Sequence, residues 1–475
     1  MQKNGNVALG YLPDENPPIG KLIVFALQQI VVMFPATVLV ALITGFHVST
    51  TIFASGLATM CFILVTGRKI PLYYGSSFSY IAAISALMAA QKEIGMSHDD
   101  AIRVAQFGII MSGLVSIAAG LVIRLFGQES IEKVLPATIT GTIALIIGLS
   151  LAMNAMQDLA LRYTPDGVPL NNAQSNLSWL VTLVTLLSVI LFSIYLKGTW
   201  KQLPVLLGLL AGYLFAVFLQ LVTPYEFLNT LTAGKTFAEE FTGSFSSLGN
   251  FFVMPKFSLP LPRWEAIFAI MPIAIATIPE STAHLYQLDI YVNNLAKSKN
   301  SPKTYKIADK LGLNLIGDGI GDIVSGFIGG PAGTNYGENI STMAVTKNFS
   351  TTMLMTAAAI TMLISFINPL TLLVYSIPLS VISGLSIYLF GVIGAQGITI
   401  MIDKKVDMFD SRNLAVIAVI LIVGLGGHYA FGGMIPVLGI EVPALATAAI
   451  LGILLNLLLN IGRKKEQAQK EQAQK

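Results

Sequence analysis

The chain is organised around Gly329-Gly330-Pro331-Ala332-Gly333-Thr334-Asn335-Tyr336-Gly337-Glu338-Asn339-Ile340-Ser341-Thr342-Met343-Ala344-Val345-Thr346-Lys347. This stretch carries a carboxylate, a proline and several glycines, although the chain around it is mostly apolar. Such residues are costly inside a bilayer unless they line a cavity, because hydrocarbon offers polar groups no hydrogen-bond partners. The stretch is therefore a candidate binding site within a membrane protein.

An earlier stretch, Pro71-Leu72-Tyr73-Tyr74-Gly75-Ser76-Ser77-Phe78-Ser79-Tyr80, has the same character. In both stretches a Tyr-Gly pair is followed by small or polar residues and a short apolar run. Hydrophobic segments interrupted by Gly or Pro at matching places in two halves are typical of secondary transporters built from repeats. The pattern favours a transporter.

The composition indicates a membrane protein with many spans. Of the 475 residues, 54% are hydrophobic and 11% are charged, against about 25% charged in an average soluble domain. The basic residues are dispersed among loops rather than gathered on one face, so no nucleic-acid partner is indicated. The single cysteine, Cys61, excludes a disulfide framework.

Membrane spans are expected wherever about 20 apolar residues follow one another. Twelve such stretches lie near 19–44, 49–67, 101–123, 134–153, 177–196, 203–222, 263–287, 310–328, 351–373, 376–401, 413–432 and 441–461. The two interrupted segments, near 71–90 and 331–347, are long enough to cross only if part of each crossing is extended chain. Counting both gives fourteen crossings.

The distribution of positive charge agrees with this count. With the N-terminus inside, fourteen crossings put 22 of the 28 Lys and Arg residues on the inner side, as expected for cytoplasmic loops. If either interrupted segment failed to cross, every later loop would change sides and the asymmetry would be lost. Both termini are therefore expected in the cytoplasm.

Fourteen crossings divide as seven plus seven about the long loop 223–262. An odd number of crossings per half gives the two halves opposite orientations, which is an inverted repeat. The predicted fold class is thus an all-α membrane protein of fourteen transmembrane segments, in which segments 3 and 10 contain short extended strands.

Glu280 and His284 are the first candidates for chemistry. They are four residues apart and project from one helix face, and a charged Glu at mid-membrane costs about 2.5–3.5 kcal/mol unless it is paired or protonated. A structural Glu-His pair and a metal pair are the alternatives. Transport is favoured because a second carboxylate, Glu338, lies in the interrupted segment, and no metal is expected because no Cys or further His supplies ligands.

Asp318 and Asp322 lie in Gly317-Asp318-Gly319-Ile320-Gly321-Asp322, which superficially resembles a nucleotide-binding glycine loop. The spacing fits neither phosphate-binding fingerprint and no strand precedes it. We therefore expect the glycines to allow close helix packing and Asp318 to be a scaffold hydrogen-bonding residue. Phe78 is ambiguous between core packing and a ligand platform, although its place after Gly75-Ser76-Ser77 favours the platform.

At these residues the chain resembles the nucleobase/ascorbate transporter family, and most closely its bacterial uracil permease branch. The resemblance covers nearly the whole chain and is carried by Gln28-Gln29, Met33 to Val40, Gly75 to Phe78, Glu280 to His284, Tyr336 to Ile340 and Ile382 to Leu385. Three positions depart from the branch: Gln29 stands where His is usual, Ser341 stands where Gly is usual, and Pro279 precedes the site Glu.

The resemblance implies a core domain packed against a gate domain. The core is formed by residues 1–133 (spans 1–4) and 263–373 (spans 8–11), the gate by 134–222 (spans 5–7) and 374–462 (spans 12–14), and 463–475 are a cytoplasmic tail. It also implies a bacterial inner-membrane protein that forms a homodimer through the gate. The implied substrate-binding residues are Phe78, Glu280, Tyr336, Gly337, Glu338 and Ala36, with Glu280 and His284 in proton coupling.

The expected function is proton-coupled uptake of uracil by alternating access, with no cofactor besides the coupling proton. Two carboxylates can accept from the two N–H groups of uracil, and a neutral solute needs a coupled cation to be accumulated. The alternatives are a xanthine or uric acid symporter of the same family, an anion transporter of similar fold, and a channel. An enzyme is not expected, because no nucleophile-base set or metal cluster is present.

Overall fold

The computed structural model describes residues 10–127, 134–157, 172–198, 200, 203–231, 235–437 and 440–461. The expected cytoplasmic tail at 463–475 lies outside the described residues. The helices in chain order are α1 (Ile19–Thr44), α2 (Val48–Val65), α3 (Ile81–Glu93), α4 (His98–Phe126), α5 (Ala137–Ser150), α6 (Ala152–Gln157), α7 (Asn172–Tyr195), α8 (Pro204–Val222), α9 (Phe237–Gly243), α10 (Leu248–Phe251), α11 (Trp264–Ile270), α12 (Ile273–Ser298), α13 (Leu311–Ile328), α14 (Gly337–Thr346), α15 (Thr351–Ile364), α16 (Asn368–Tyr375), α17 (Leu379–Asp403), α18 (Ser411–Leu421), α19 (Gly427–Phe431) and α20 (Ala444–Asn460).

Within these described ranges, nine helices are long and apolar enough to cross a membrane, and three shorter apolar helices, α5, α15 and α20, accompany them. Each of the twelve coincides with one of the twelve apolar stretches found in the sequence, so the prediction of apolar helices there is confirmed. The three shorter helices have 14, 14 and 17 residues and are about 21–26 Å long. They are shorter than a hydrocarbon core of about 30 Å, so helix length alone gives fewer membrane crossings than the sequence predicts.

The two interrupted segments meet in a small antiparallel sheet. Strand β1 (Tyr74–Ser76) pairs with β2 (Gly333–Asn335), and Gly75 lies opposite Thr334 at the centre. A 3-10 turn at Phe78–Tyr80 leads from β1 into α3, and α14 begins two residues after β2. Both segments therefore change from extended chain to helix beside the same strand pair.

Glycines allow α4 and α13 to pack backbone to backbone. A Cβ atom added to Gly113 would lie 2.5 Å from the carbonyl oxygen of Gly319, and one added to Gly120 would lie 2.5 Å from that of Gly312. No side chain fits these contacts. The prediction that the glycines around Asp318 serve close helix packing is confirmed.

Two parts of the chain differ from the expected pattern. The stretch 351–373, expected as one span, is divided into α15 and α16, because Pro369 stands at the start of α16, where its missing N–H costs nothing. A hairpin of β3 (Met434–Val437) and β4 (Ile440–Pro443) follows α19 and was not expected in a fold with strands only in segments 3 and 10.

The residues Gly10 to Asn16, here called the N-terminal strap, cross one end of the molecule. The main chain of Tyr11 donates to the carbonyl of Lys347 and accepts from the N–H of Phe349, both at 2.8 Å. Lys299 donates to Glu15 at 2.6 Å. The strap therefore links the connection after α14 to the connection after α12, the two helices that carry the candidate carboxylates.

An exposed ion pair adds to the strap. Lys303 and Tyr305 donate hydrogen bonds to Asp14, and these bonds hold the pKa of the Asp14 carboxyl below its usual value. A carboxyl whose pKa is lowered by folding stabilises the protein above its unfolded pKa of about 4, and this contribution is lost as the pH falls through the folded value.

Replacing Asp14 by Asn is therefore expected to lower the thermal midpoint at pH 7 by no more than about 2 °C, because solvent screens the pair. The difference from the native chain should disappear by about pH 3, where the native carboxyl is also neutral. Asp309→Asn, which removes a charge from the same connection between α12 and α13 without touching the strap, is the control. A difference that persists at pH 3 would show that the effect is not ionic.

Candidate functional site

A cavity of about 450 Å³ lies beside the strand pair. One wall is formed by the 3-10 turn, α12 and the start of α14, and the opposite wall by α5, α8 and α17. The cavity continues from Phe78 and Glu280 to Pro204 and Ile400, near the start of α8 and the end of α17. It is within the size range of small-molecule sites in proteins, about 300–1,000 Å³.

Six of the seven residues implied for the site line this cavity: Phe78, Glu280, His284, Tyr336, Gly337 and Glu338. They come from two stretches more than 250 residues apart in the chain and from α12 between them. Ala36 is not among the lining residues. It is buried in α1, and its neighbour Thr37 contacts the site residue Tyr336 instead.

Tyr336 is held in place by its hydroxyl group. The hydroxyl lies 3.0 Å from Thr37 Oγ1 and donates to the carbonyl of Ser76 at 2.9 Å. The ring is packed against Gly75, where an added Cβ would lie 2.3 Å from Tyr336 Cε2. One side chain thus joins α1, β1 and the start of α14.

The carboxylate of Glu280 accepts a hydrogen bond of 3.3 Å from Ser79 Oγ. Pro279, immediately before it, has no N–H, so the helix lacks one hydrogen bond at this turn. Ser79 belongs to the 3-10 turn that follows β1. The bond therefore connects the first interrupted segment to α12.

His284 lies one turn further along α12, against the start of α14. An added Cβ at Gly337 would lie 2.9 Å from His284 Nε2, so only glycine allows this approach. Its Nδ1 is buried with no hydrogen-bond partner among the residues that the structure describes.

Glu338 is in the first turn of α14 and is exposed to the cavity. A negative charge is favoured at a helix N-terminus, where backbone N–H groups are unpaired. Within the described part of the chain its carboxylate makes no hydrogen bond or ion pair with another residue. The group is free to accept hydrogen bonds from a bound molecule.

Two aspartates of α13 support the strand pair. Asp318 accepts hydrogen bonds from Ser281 and, at 2.7 Å, from Asn335 Nδ2, so its expected scaffold role is confirmed. Asp322 accepts from Tyr74 Oη at 2.6 Å and from the N–H of Gly333 at 2.8 Å. The role of Asp322 was not expected, although its position four residues after Asp318, on the same helix face, was a usable signal.

The opposite wall contains polar residues that the sequence analysis did not single out. They are Thr140 on α5 and Tyr388, Gln396 and Thr399 on α17. Spacings of eight and three residues put the last three on one face of an otherwise apolar helix. This periodicity could have indicated a second wall, but it did not say what that face meets.

Gly75→Ala is expected to destabilise the protein by about 1–3 kcal/mol or more, because its methyl group overlaps the Tyr336 ring. Thermal unfolding of purified protein measures the effect. Gly391→Ala on α17 is the control, since an added Cβ there meets nothing within 4 Å. Equal midpoints for both variants would show that the strand pair tolerates side chains at its centre.

The long apolar helices are those of a multi-pass membrane protein, and the fold is shared with solved membrane transporters. The chain superposes on murine Solute Carrier 26 family member A9, an anion transporter, with a TM-score of 0.61 and 12% identity, covering 98% of this chain and 73% of that one. At this identity the likeness concerns the fold alone.

The chain belongs to the permease family, which matches residues 20–433, and the resemblance to the nucleobase/ascorbate transporters is thereby confirmed. It is 34% identical over 458 residues to a uracil permease of Bacillus caldolyticus, covering 94% of each chain. It is 32% identical over 449 residues to the putative pyrimidine permease RutG of Escherichia coli (strain K12), covering 94% of this chain and 91% of that protein.

Proposed function

We propose that this protein takes up uracil together with protons across a bacterial cytoplasmic membrane by alternating access. The observation that carries the proposal is that Glu280 and Glu338 line one cavity with Phe78, whereas no Lys or Arg is among the described residues lining it. Two hydrogen-bond acceptors and a ring, without a cation, suit a flat neutral molecule with N–H donors. Relatives that are uracil permeases support this substrate.

Each group of uracil has a partner of suitable chemistry. The two carboxylates accept from the two N–H groups, and free N–H groups at the start of α14, near Gly337 and Glu338, donate to a carbonyl oxygen. Phe78 stacks on the ring face from the strand side, where its own ring meets Phe390 of α17 edge to face at 6.1 Å. Tyr336 positions the start of α14.

Glu280 and His284 carry the coupling proton in this proposal, because carboxyl and imidazole groups exchange protons under physiological conditions. Protonation at this pair favours uracil binding from outside, and deprotonation follows release inside. The hydrogen bond from Ser79 holds Glu280, and the Nδ1 of His284 has no hydrogen-bond partner in the part of the chain that the structure describes. The coupling ion replaces any cofactor.

Contacts between loops support fourteen crossings with both termini in the cytoplasm. His47, which follows span 1, lies 3.0 Å from Asp99, which follows the first interrupted segment. The two residues lie on the same side of the membrane only if that segment crosses it. Similarly, the N-terminal strap contacts Lys299 before the second interrupted segment and Lys347 after it.

The proposed inverted repeat of seven plus seven is supported by helix pairing. In a repeat of seven plus seven, span 4 corresponds to span 11 and span 9 corresponds to span 2. The packed pair α4 and α13 (spans 4 and 9) therefore corresponds to the pair α15 and α2 (spans 11 and 2). Both pairs pack closely over glycine: Gly113 meets Gly319, and Gly56 meets the carbonyl of Ala358. The strands of segments 3 and 10 pair with each other.

The two proposed domains follow from the same arrangement. The core comprises 1–133 and 263–373, and the gate comprises 134–222 and 374–462. The cavity lies where they meet and extends to Pro204 and Ile400, next to loops assigned to the inner side. A homodimer through the gate suits the exposed apolar side chains of α7 and α8, such as Leu187 and Leu214.

Xanthine or uric acid is the second candidate substrate within the family. An anion is disfavoured, although the fold is shared with an anion transporter, because the carboxylates would repel it.

Calorimetric binding of uracil and of xanthine to the purified protein at two pH values tests the proposal. Uracil binding that weakens as pH rises supports both the substrate and the proton-linked site. Binding of xanthine but not uracil would contradict uracil as the substrate and would leave the assignment of the fold unaffected.

A further inference from the structure

A second, smaller cavity lies on the other side of Phe78 and Ser79, which line both cavities. Its volume is about 20 Å³, enough for a single water molecule. The core contributes Phe78, Ser79 and residues of α3, and the gate contributes residues of α5, α19 and α20. It therefore lies at the boundary between the two proposed domains.

His428 of α19 lines this cavity from the gate with its side chain buried, as does Ser150 of α5. His428 is 7% exposed, and its Nε2 has no hydrogen-bond partner among the described residues. The imidazole makes a hydrogen bond with the main chain of Ser150 on α5. A buried ring nitrogen without a partner is unfavourable, and a bound water would satisfy it.

The backbone around His428 is irregular. A π-helical turn at Ile422–Gly426 precedes α19, and Gly432 and Gly433 follow it with φ of +61° and +93°. An added Cβ at Gly433 would lie 3.4 Å from His428 Nδ1. π-Helical turns are frequent at functional sites, and here the turn sets the position from which the imidazole enters the domain boundary.

We infer that His428 is a positioning residue that closes the outer side of the transport site through one water molecule bound between its Nε2 and Ser79 Oγ. Ser79 in turn donates to Glu280 at 3.3 Å. The result is a continuous polar bridge from the gate to the site carboxylate, here called the outer latch. It rests on the proposed function, because it needs a core and a gate that separate on the outer side.

The other surroundings explain why one bridge has a large effect. The lining is otherwise apolar, with the side chains of Ile147, Leu151 and Ile273, except for Ser150, whose hydroxyl donates to the carbonyl of Ile147 at 2.9 Å. Among the described residues that line this cavity, His428 alone is ionisable, and Glu280 is reached only through Ser79. When the domains separate, outside water hydrates both ends, so the latch exists only in the closed arrangement.

The latch is tested by the accessibility of a cysteine placed behind it. Ala83 lines the cavity and is 6% exposed, and Cys61 is the chain's own cysteine. In a Cys61→Ala, Ala83→Cys background, a membrane-impermeant thiol reagent is added from outside. His428→Leu, which keeps the side-chain bulk, is expected to raise the labelling rate roughly fivefold or more by shifting the population toward outward-open.

His428→Gln retains a polar atom that can hold the water, so it should keep labelling close to that of the native residue. Ser79→Ala removes the other end of the latch and should raise labelling as His428→Leu does. Tyr429→Cys, at an outer position that is 52% exposed, is the positive control for reagent access. Unchanged labelling in His428→Leu and Ser79→Ala, or equal increases in the Leu and Gln variants, would overturn the inference.

The labelling assay needs no substrate, which separates this inference from the proposed function. If uracil fails to bind but the Leu and Gln variants still differ in labelling, the latch stands and the substrate is wrong. If uracil binds and the labelling rates are equal, the latch alone is overturned.

Discussion

Glu338→Gln is expected to weaken uracil binding roughly 10- to 150-fold, the factor that corresponds to about 1.5–3 kcal/mol for a hydrogen bond to a charged group. The carboxylate accepts from a ring N–H, whereas the amide presents its own N–H donors as well and competes poorly. Calorimetry on the purified variant measures the change. Because Glu338 makes no bond to other described residues, folding should be unaffected.

Glu441→Gln is the matched control, since this exposed Glu of β4 lies outside the cavity. It should bind uracil like the native protein. The same experiment also tests the choice of substrate, because Gln at position 338 is expected to increase tolerance for a purine. Native uracil affinity in Glu338→Gln would rule out direct contact between this carboxylate and the substrate.

Glu280→Gln is expected to abolish uphill uptake, whereas flux of uracil down its gradient should persist at uracil concentrations high enough to offset the weaker hydrogen bond of the amide. A coupled proton supplies about 2.3 kcal/mol per 100 mV, enough for roughly 50-fold accumulation. An amide cannot carry the proton, so accumulation should fall to equilibrium. Proteoliposomes with an imposed proton gradient and labelled uracil measure both quantities.

Downhill flux at high uracil concentration shows that the Glu280→Gln variant is folded and inserted. Glu265→Gln on α11, where the side chain is exposed and away from the cavity, should accumulate uracil like the native chain. Full accumulation by Glu280→Gln would mean that another group carries the proton. His284 would then be the next residue to test, since it lies one turn away on the same helix.

The residue types within short segments of the sequence were enough to predict the apolar helices and the candidate site residues. The twelve apolar stretches stand out because a bilayer demands long uninterrupted hydrophobic runs, and every one coincides with an apolar helix. Glu280, His284 and Glu338 stand out because polar side chains in such runs are costly. Residues that break a strong rule can be recognised without knowing what they contact.

The residues that line the cavity from the gate could not be predicted in this way. Tyr388 and Gln396 lie on a helix whose character is otherwise apolar, and nothing in the local sequence tells a cavity-facing position from a lipid-facing one. The placement of Ala36 in the site was implied by the family resemblance, whereas in the structure its neighbour Thr37 makes the contact with Tyr336.

The membrane class, the apolar helices and the chemistry available to a site could be predicted from the sequence, because they depend on residue type and on periods of a few residues. The pairing of two strands more than 250 residues apart, and their support by Asp318 and Asp322, became known only from the folded chain. The same is true of the small cavity that His428 and Ser79 both line. Such contacts depend on how distant helices pack, and close packing over glycines leaves no periodic signal that identifies the partner helix.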